Sequence, residues 1–291
     1  MDERAVLTLV ADALPAAGDD AAVLDGQVLT TDMLHETTDF PTGTTRYTAG
    51  WRAVGASLSD VAAMGAAATA AVAVYAAPEF EETAVRAFLD GARDVCAAVG
   101  AEYVGGDLDQ HEEFTVATTA LGATDAPVRR TGATPGDAVC VTGTLGRSGA
   151  ALRLFERGET ARANDLFQFT PRVAAGQVVA SHATAMLDSS DGLARSLHQL
   201  AEASDCGVAI DSPLPIDDAV RAVADDRREV RELGAFFGED FELVFTVPDD
   251  AVADVQAACD VPVTRIGEMT ADSTVTLDGD PLPDRGYTHG G

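Results

Sequence analysis

The chain has 291 residues, 46% of them hydrophobic, with 48 acidic and 19 basic side chains and a formal net charge of −29. Such a surface repels nucleic acid and anionic membranes, and no apolar run is long enough for a transmembrane helix. Every basic residue is arginine, so a phosphate loop of the GxxxxGKS or GxxxxGKT kind is excluded. The length suits two domains of ordinary size. Abundant acids without lysine indicate a protein that works in high salt, where screening removes the self-repulsion. Phosphate chemistry here must rest on arginine, backbone amides and metal ions. Cys96, Cys140, Cys206 and Cys259 form no CxxC pair and are expected reduced and mostly buried. The five histidines lack metal-ligand spacing, which argues against zinc. The N-terminal run MDERAVLTLVADAL is acidic where a secretory leader is basic, so a cytoplasmic location is expected.

In chain order, residues 3–14 read as an amphipathic helix that stops before Pro15. Residues 18–32, GDDAAVLDGQVLTTD, read as a glycine turn, a short strand, a turn at Asp25-Gly26 and a second strand. Asp19 or Asp20 then begins the first strand and Asp32 ends the second, side by side. Neighbouring carboxylates repel unless a cation lies between them or one takes a proton. Their hard oxygens suit Mg²⁺. The plainer reading is an Asp-Gly hairpin with solvated acids. A polar loop with His35, Glu36 and Asp39 follows. Thr44 or Thr45 caps a helix to about Met64, with Trp51, Val54, Leu58 and Val61 on its apolar face. Residues 67–76 form a buried strand, and 81–99 a helix capped near Pro78-Glu79 and ended by Gly100. Tyr103 and Val104 form a short strand running into Gly105-Gly106-Asp107, and 114–121 the next strand.

The loop at 126–137 places a boundary between domains 1–133 and 134–291. Beyond it come a strand at 138–142, a helix at 148–157, a less regular stretch at 160–169 and a proline-led helix at 171–181. Met186-Leu187 runs into Asp188-Ser189-Ser190-Asp191-Gly192, then a helix to Ser204. A strand at 208–210, acid-rich helical segments, a strand at 241–247, a helix at 251–258 and strands at 263–266 and 274–277 complete the chain. Helices and strands alternate throughout, so the class is mixed α/β.

Acids recur where elements end at glycine or small residues: Asp20, Asp32, Asp60, Asp107, Asp188 and Asp191. Carboxylates so placed let a metal-bound phosphate approach the backbone. Each also has a plainer reading. Asp60 caps a break in the long helix, Gly105-Gly106-Asp107 is a turn, and Asp188 to Asp191 form an N-cap box. Arg130 is a solvated linker residue, Glu239 and Asp240 cap the strand at Phe241, and Tyr287 is a tail residue. Six recurrences at turns favour the metal reading.

GDDAAVL, TTDML, SLSDVAAMGA, GGD, RRTGATPGD, VTGTLG, TPR, DSSDGL, SDCGV and GEDFEL occur here in one order. Together they resemble the thiamine-monophosphate kinase family, in the superfamily of aminoimidazole-ribotide synthetases and selenophosphate synthetases. The resemblance runs from Gly18 to about Tyr287, with SDVAAMGA and GEDFEL its most specific parts. It implies an α/β (α+β) two-domain fold. The N-terminal domain pairs with its twin in a homodimer, and ATP lies in the cleft to a C-terminal α/β domain, held by several Mg²⁺ ions. Position by position, it implies Asp20, Thr30, Thr31, Asp32, Asp60, Asp107, Asp188 and Asp191 as metal ligands. Gly106, Asp107, Arg130 and Ser190 are implied as nucleotide contacts, and Glu239 and Tyr287 as contacts to the thiamine moiety. Where many bacterial members have a histidine, this chain has Asp39, with His35 out of register. Asp39 is a candidate to face the cationic thiazolium.

The implied reaction is ATP-dependent phosphorylation of thiamine phosphate to thiamine diphosphate. A phosphate monoester has a second pKa of about 6, so the acceptor is largely ionised at neutral pH and no general base is required. The difficulty is one anion attacking another, which bridging metal ions relieve. Two alternatives stay open: another ATP-using enzyme such as an aminoimidazole-ribotide synthetase, and a non-catalytic, metal-stabilised acidic protein. A selenophosphate synthetase needs a reactive cysteine near its N-terminus, and the first here is Cys96.

Overall fold

Two sheets carry the fold, and the computed structural model describes residues 6, 9–11, 13–14 and 16–286. The helix expected at 3–14 lies in large part, and Tyr287 entirely, outside the described residues.

The first sheet holds β1 (Ala22–Leu24), β2 (Gln27–His35), β3 (Ala67–Ala77), β4 (Glu102–Gln110) and β5 (Thr115–Ala123), in the order β1-β2-β5-β3-β4. β3 and β4 are parallel; the other pairs are antiparallel. Helices α2 (Arg46–Ala63) and α3 (Glu82–Ala98) cover one face. Thr45 caps α2, its hydroxyl accepting from the Thr48 amide at 3.1 Å. Val54, Leu58 and Val61 of α2 pack with Val28, Val116 and Ala120 of the sheet. The two helices meet closely because Gly91 has no side chain; a Cβ there would sit 2.0 Å from the Tyr47 carbonyl oxygen. On the other face Leu29, Met33 and Val74 are exposed.

The second sheet has the order β12-β11-β8-β10-β6-β9-β7, with β6 at Ala138–Thr142, β7 at Ala185–Asp188, β8 at Gly207–Ile210 and β9 at Leu243–Val247. β10 (Val263–Thr270), β11 (Val275–Leu277) and β12 (Asp280–Pro281) complete it. Both faces are buried, as the period of two along β6 requires. Val139 and Val141 join Leu197 and Leu200 of one helix, while Ala138 and Cys140 join Val173, Val179 and Val255 on the other side. Ala62 and Ala63, at the end of α2, belong to this second core. One helix therefore packs into both halves, and the functional residues gather along it.

Several expectations need correction. The loop expected after Asp32 is instead the end of β2 and a single turn, α1 (Glu36–Asp39). Gly105-Gly106-Asp107 lies inside a nine-residue strand. That strand needs glycine, since a Cβ on Gly106 would meet the Ala73 carbonyl oxygen at 1.8 Å. The start of β3 is not buried, because one face of it is uncovered. Helix α3 starts from Glu81. The stretch after Gly158 is a regular helix (Thr160–Phe167), anchored by Ala163 and Phe167 one turn apart.

Candidate active site

Three carboxylates meet from distant parts of the chain. Asp20 lies two residues before β1, Asp60 is near the end of α2, and Asp188 ends β7. Their oxygens lie within 4.8 Å of one another. Thr30 donates to Asp60 Oδ2 at 2.5 Å. Ser57 donates to Asp32 Oδ2 at 2.6 Å, and Ser59 to Asp188 Oδ2 at 2.6 Å. On α2 the positions 57 and 60 are about one turn apart, so both point to the sheet end that carries Thr30 and Asp32. Arg130 closes the opposite side, its Nη2 donating to Asp20 Oδ1 at 2.6 Å. The choice between Asp19 and Asp20 is also settled: Asp19 turns to Arg129 and the Arg130 amide, and Asp20 faces the cluster.

Burial governs the electrostatics. It pushes the Asp60 carboxyl well above its ordinary range, and the charges of Asp32, Asp188 and Asp20 push it further. Burial, then Asp20, raises Asp188 to about 8, against the hydrogen bond from Ser59 and the charge of Arg130. Asp32 is raised by burial and lowered by Ser57. Asp20, Asp32, Asp60 and Asp188 share one guanidinium, so the cluster needs protons or a cation to balance it. The Ser189 hydroxyl beside Asp188 is buried and has no hydrogen-bond partner within the protein. Hard oxygen donors, a shortage of positive charge and an orphaned hydroxyl all fit Mg²⁺ with its oxygen-bearing ligands.

The plainer readings of these acids fall away. Asp60 does not cap a break, since α2 runs unbroken to Ala63. At the helix Leu193–Ser204 the N-cap residue is Gly192, and the Asp188 carboxylate is taken up by Ser59. Asp240 does cap, but a helix: its carboxylate accepts from the amides of Gly146 and Ser148 at 2.5 and 3.2 Å.

Not every candidate joins the cluster. Strand alternation turns Thr31 to the opposite face from Thr30 and Asp32, where it bonds the Thr118 carbonyl. Asp191 is not one of the three carboxylates that converge. Gly106 and Asp107 are on β4, at the far edge of the first sheet, where they line a cavity of about 430 Å³ with Val85, Phe88 and Leu89. The Ser190 carbonyl accepts the Glu239 amide at 2.6 Å. Asp39 is buried, and its Oδ2 accepts from the His35 amide and the Thr38 hydroxyl.

Models of the AIR synthase related protein family match the chain at residues 18–124 (N-terminal domain) and 134–280 (C-terminal domain). The thiamine-monophosphate kinase of Halobacterium salinarum is 62% identical over 99% of this chain and 100% of that one. The chain belongs to the thiamine-monophosphate kinase family. The solved thiamine-monophosphate kinase of Stenotrophomonas maltophilia K279a has TM-score 0.82 at 32% identity, covering 95% of each chain. The structure of AaThiL complexed with AMPPCP and TMP has TM-score 0.88 at 28% identity, over 99% of this chain and 97% of that one. The fold, including both sheets, is that of thiamine-monophosphate kinases.

In this kinase, sequence reasoning missed Ser57, Ser59 and Ser189 at the cluster, and the buried Arg52 on the same helix as the first two. The two helix serines had a signal, since SLSD places hydroxyls at one and three residues before Asp60 on a helix already assigned. Arg52 had none. It is buried by Phe167, Phe169 and Phe241, all more than a hundred residues away in sequence.

Proposed function

We propose that the chain transfers the γ-phosphoryl group of ATP to thiamine phosphate, giving thiamine diphosphate. The observation that carries the phosphoryl-transfer chemistry is the convergence of Asp20, Asp60 and Asp188 in a buried acidic site. The H. salinarum kinase supports the choice of acceptor. Asp20, Thr30, Asp32, Asp60 and Asp188 would hold Mg²⁺, with Asp191 at the border. When bound, Mg²⁺ neutralises the charge between donor and acceptor phosphates. Arg130 holds Asp20 in place and presents a guanidinium toward the polyphosphate. The acceptor phosphate is ionised at neutral pH, so no side chain removes a proton.

The cavity beside Gly106 and Asp107 has apolar walls that suit a purine ring. In one chain it is far from the cluster. β4 is three strands from β2, roughly 14 Å at the usual strand spacing. We read the cavity as serving the cluster of a second copy. The exposed Leu29, Met33 and Val74 provide an apolar face for such a homodimer. Asp107 of one copy then serves the cluster of the other. The high negative charge and the H. salinarum relative favour function at high salt in the cytoplasm.

Two measurements test this reading. Labelled ATP is offered with thiamine phosphate, free thiamine and other phosphate acceptors; only thiamine phosphate should be turned over well. Inactive Asp60→Asn and Asp107→Ala proteins are then mixed and allowed to exchange subunits. Shared sites should restore about a quarter of wild-type activity, because half of the dimers are mixed and each has one intact site. No recovery after proven exchange would confine the site to one chain.

A further inference from the structure

Arg52 is 1% exposed and lies on α2, two turns before Asp60. It donates to the Phe167 carbonyl at 2.7 Å, to the Glu239 carbonyl at 3.1 Å and to Glu239 Oε2 at 2.8 Å. Its guanidinium lies 3.6 Å from the centroid of Phe167, and the rings of Phe169 and Phe241 stack on each other nearby at 5.4 Å from it. A guanidinium in such a cage uses both Nη atoms to hold two segments at once, and a lysine could not reproduce it.

The segment it grips is unusual. Gly238, Glu239 and Phe241 have φ of 86°, 58° and 54°. Left-handed backbone at Glu239 and Phe241 persists only where surroundings hold it. The Ser190 carbonyl takes the Glu239 amide, the Ser189 carbonyl takes the Phe241 amide, and Ser148 donates to the Glu239 carbonyl at 2.6 Å. All three of these partners come from the C-terminal half. Arg52 comes from the N-terminal half and is the residue there that grips the Glu239 carboxylate. That side chain is one-fifth exposed, so it is open to solvent rather than sealed in the core.

We propose that Arg52 is a positioning residue for acceptor binding: it fixes the Glu239 carboxylate across the junction of the two halves and balances its charge. The proposal rests on the reading that thiamine phosphate is the acceptor and that Glu239 contacts its organic part. Arg52 does not touch the reacting phosphates; it acts through Glu239.

The test is a double-mutant cycle with Arg52→Lys and Glu239→Gln, using full kinetics in both substrates. Arg52→Lys keeps the buried charge but cannot hold both the Phe167 carbonyl and the carboxylate. It should raise KM for thiamine phosphate at least tenfold while KM for ATP and kcat stay within about threefold. Glu239→Gln should do the same, and the double variant should be no worse than Glu239→Gln alone. Effects that multiply would mean that Arg52 acts elsewhere and would overturn the proposal. Equal losses for both substrates, or a lower melting temperature with unchanged KM, would also overturn it. Ser148→Ala, which removes a donor from the Glu239 carbonyl without a charge change, gives an independent arm should Arg52→Lys not fold. A selective rise in KM for thiamine phosphate there supports the positioning of Glu239, and an unchanged KM overturns it. Wild-type protein in the same assay separates the two readings: no turnover of thiamine phosphate by wild type would sink the proposed function itself.

Discussion

Ser59 donates its hydroxyl to Asp188 at 2.6 Å, from the position next to Asp60 on the same helix. Ser57 and Ser59 of α2 thus hold carboxylates from both halves of the chain, Asp32 and Asp188. Ser59 and Asp188 are both almost completely buried, so water cannot replace that bond. The packing of Ala62 and Ala63 into the second core holds the helix in register with β7. The site is therefore built into the junction and does not depend on a mobile loop for its acids.

Ser59→Ala should cost about 1–3 kcal/mol of stability, because a buried carboxylate loses a donor. It should also raise the Mg²⁺ concentration needed for half-maximal turnover, since Asp188 becomes harder to ionise. Chemical denaturation and a Mg²⁺ titration check the two effects separately. An unchanged titration would mean that the bond serves the fold alone.

Stability without metal should fall as pH rises. Asp188 holds its proton up to about 8 when folded and only to about 4 when unfolded. The folded state therefore binds more protons between these values, and linkage makes its stability full below the lower pKa and lost as pH passes the upper one. Asp60 shifts in the same direction. In chelator, the melting temperature should decline from about pH 5 to about pH 8, and Asp188→Asn should flatten that decline. A slope identical in the variant would show that Asp188 is ionised in the metal-free protein.

The sequence made some of this plain and hid the rest for physical reasons. The Thr45 cap, α2 and the Asp25-Gly26 hairpin follow local rules, and the structure has all three. Strand alternation already separates Thr30 and Asp32 from Thr31, so the outward turn of Thr31 was legible in the period of two. The place of Gly105-Gly106-Asp107 was not. Glycines usually mark turns, and here Gly106 instead relieves a collision with Ala73 that only the β3–β4 pairing creates. Arg52 was the least legible. Its burial depends on aromatic rings from two distant segments, 167–169 and 241, and no local pattern carries that information.

Low salt should destabilise the protein. A net charge of −29 repels itself over distances that screening normally cuts to a few ångström in molar salt. Lowering KCl from about 2 M to about 20 mM lengthens that range about tenfold. The melting temperature should fall substantially, and Mg²⁺ should restore part of it by occupying the cluster. A melt indifferent to KCl would leave the excess of acids without a high-salt explanation.

Asp60→Asn should abolish phosphoryl transfer and leave the fold intact or firmer. The amide keeps an oxygen to accept the Thr30 hydroxyl, now bonded to Asp60 Oδ2 at 2.5 Å. Its nitrogen becomes a donor placed among the carboxylates of Asp20 and Asp188, whose oxygens lie within 4.8 Å. The amide stands in for the protonated carboxyl that burial and the charges of Asp32, Asp188 and Asp20 already favour at this position. The metal-free variant should therefore melt at or above the wild-type temperature. The cost falls on catalysis: a neutral ligand holds a divalent ion weakly, and turnover should drop by at least about a hundredfold at ordinary Mg²⁺. Were Asp60 only a cap, the change would cost about 1 kcal/mol and spare turnover. Its place inside the helix argues against that role, since α2 continues through Ala63. Melting curves in chelator and turnover across a Mg²⁺ titration decide between the two. Near-normal turnover would remove Asp60 from the metal set, and Asp20 and Asp188 would then lack the ligand that joins them.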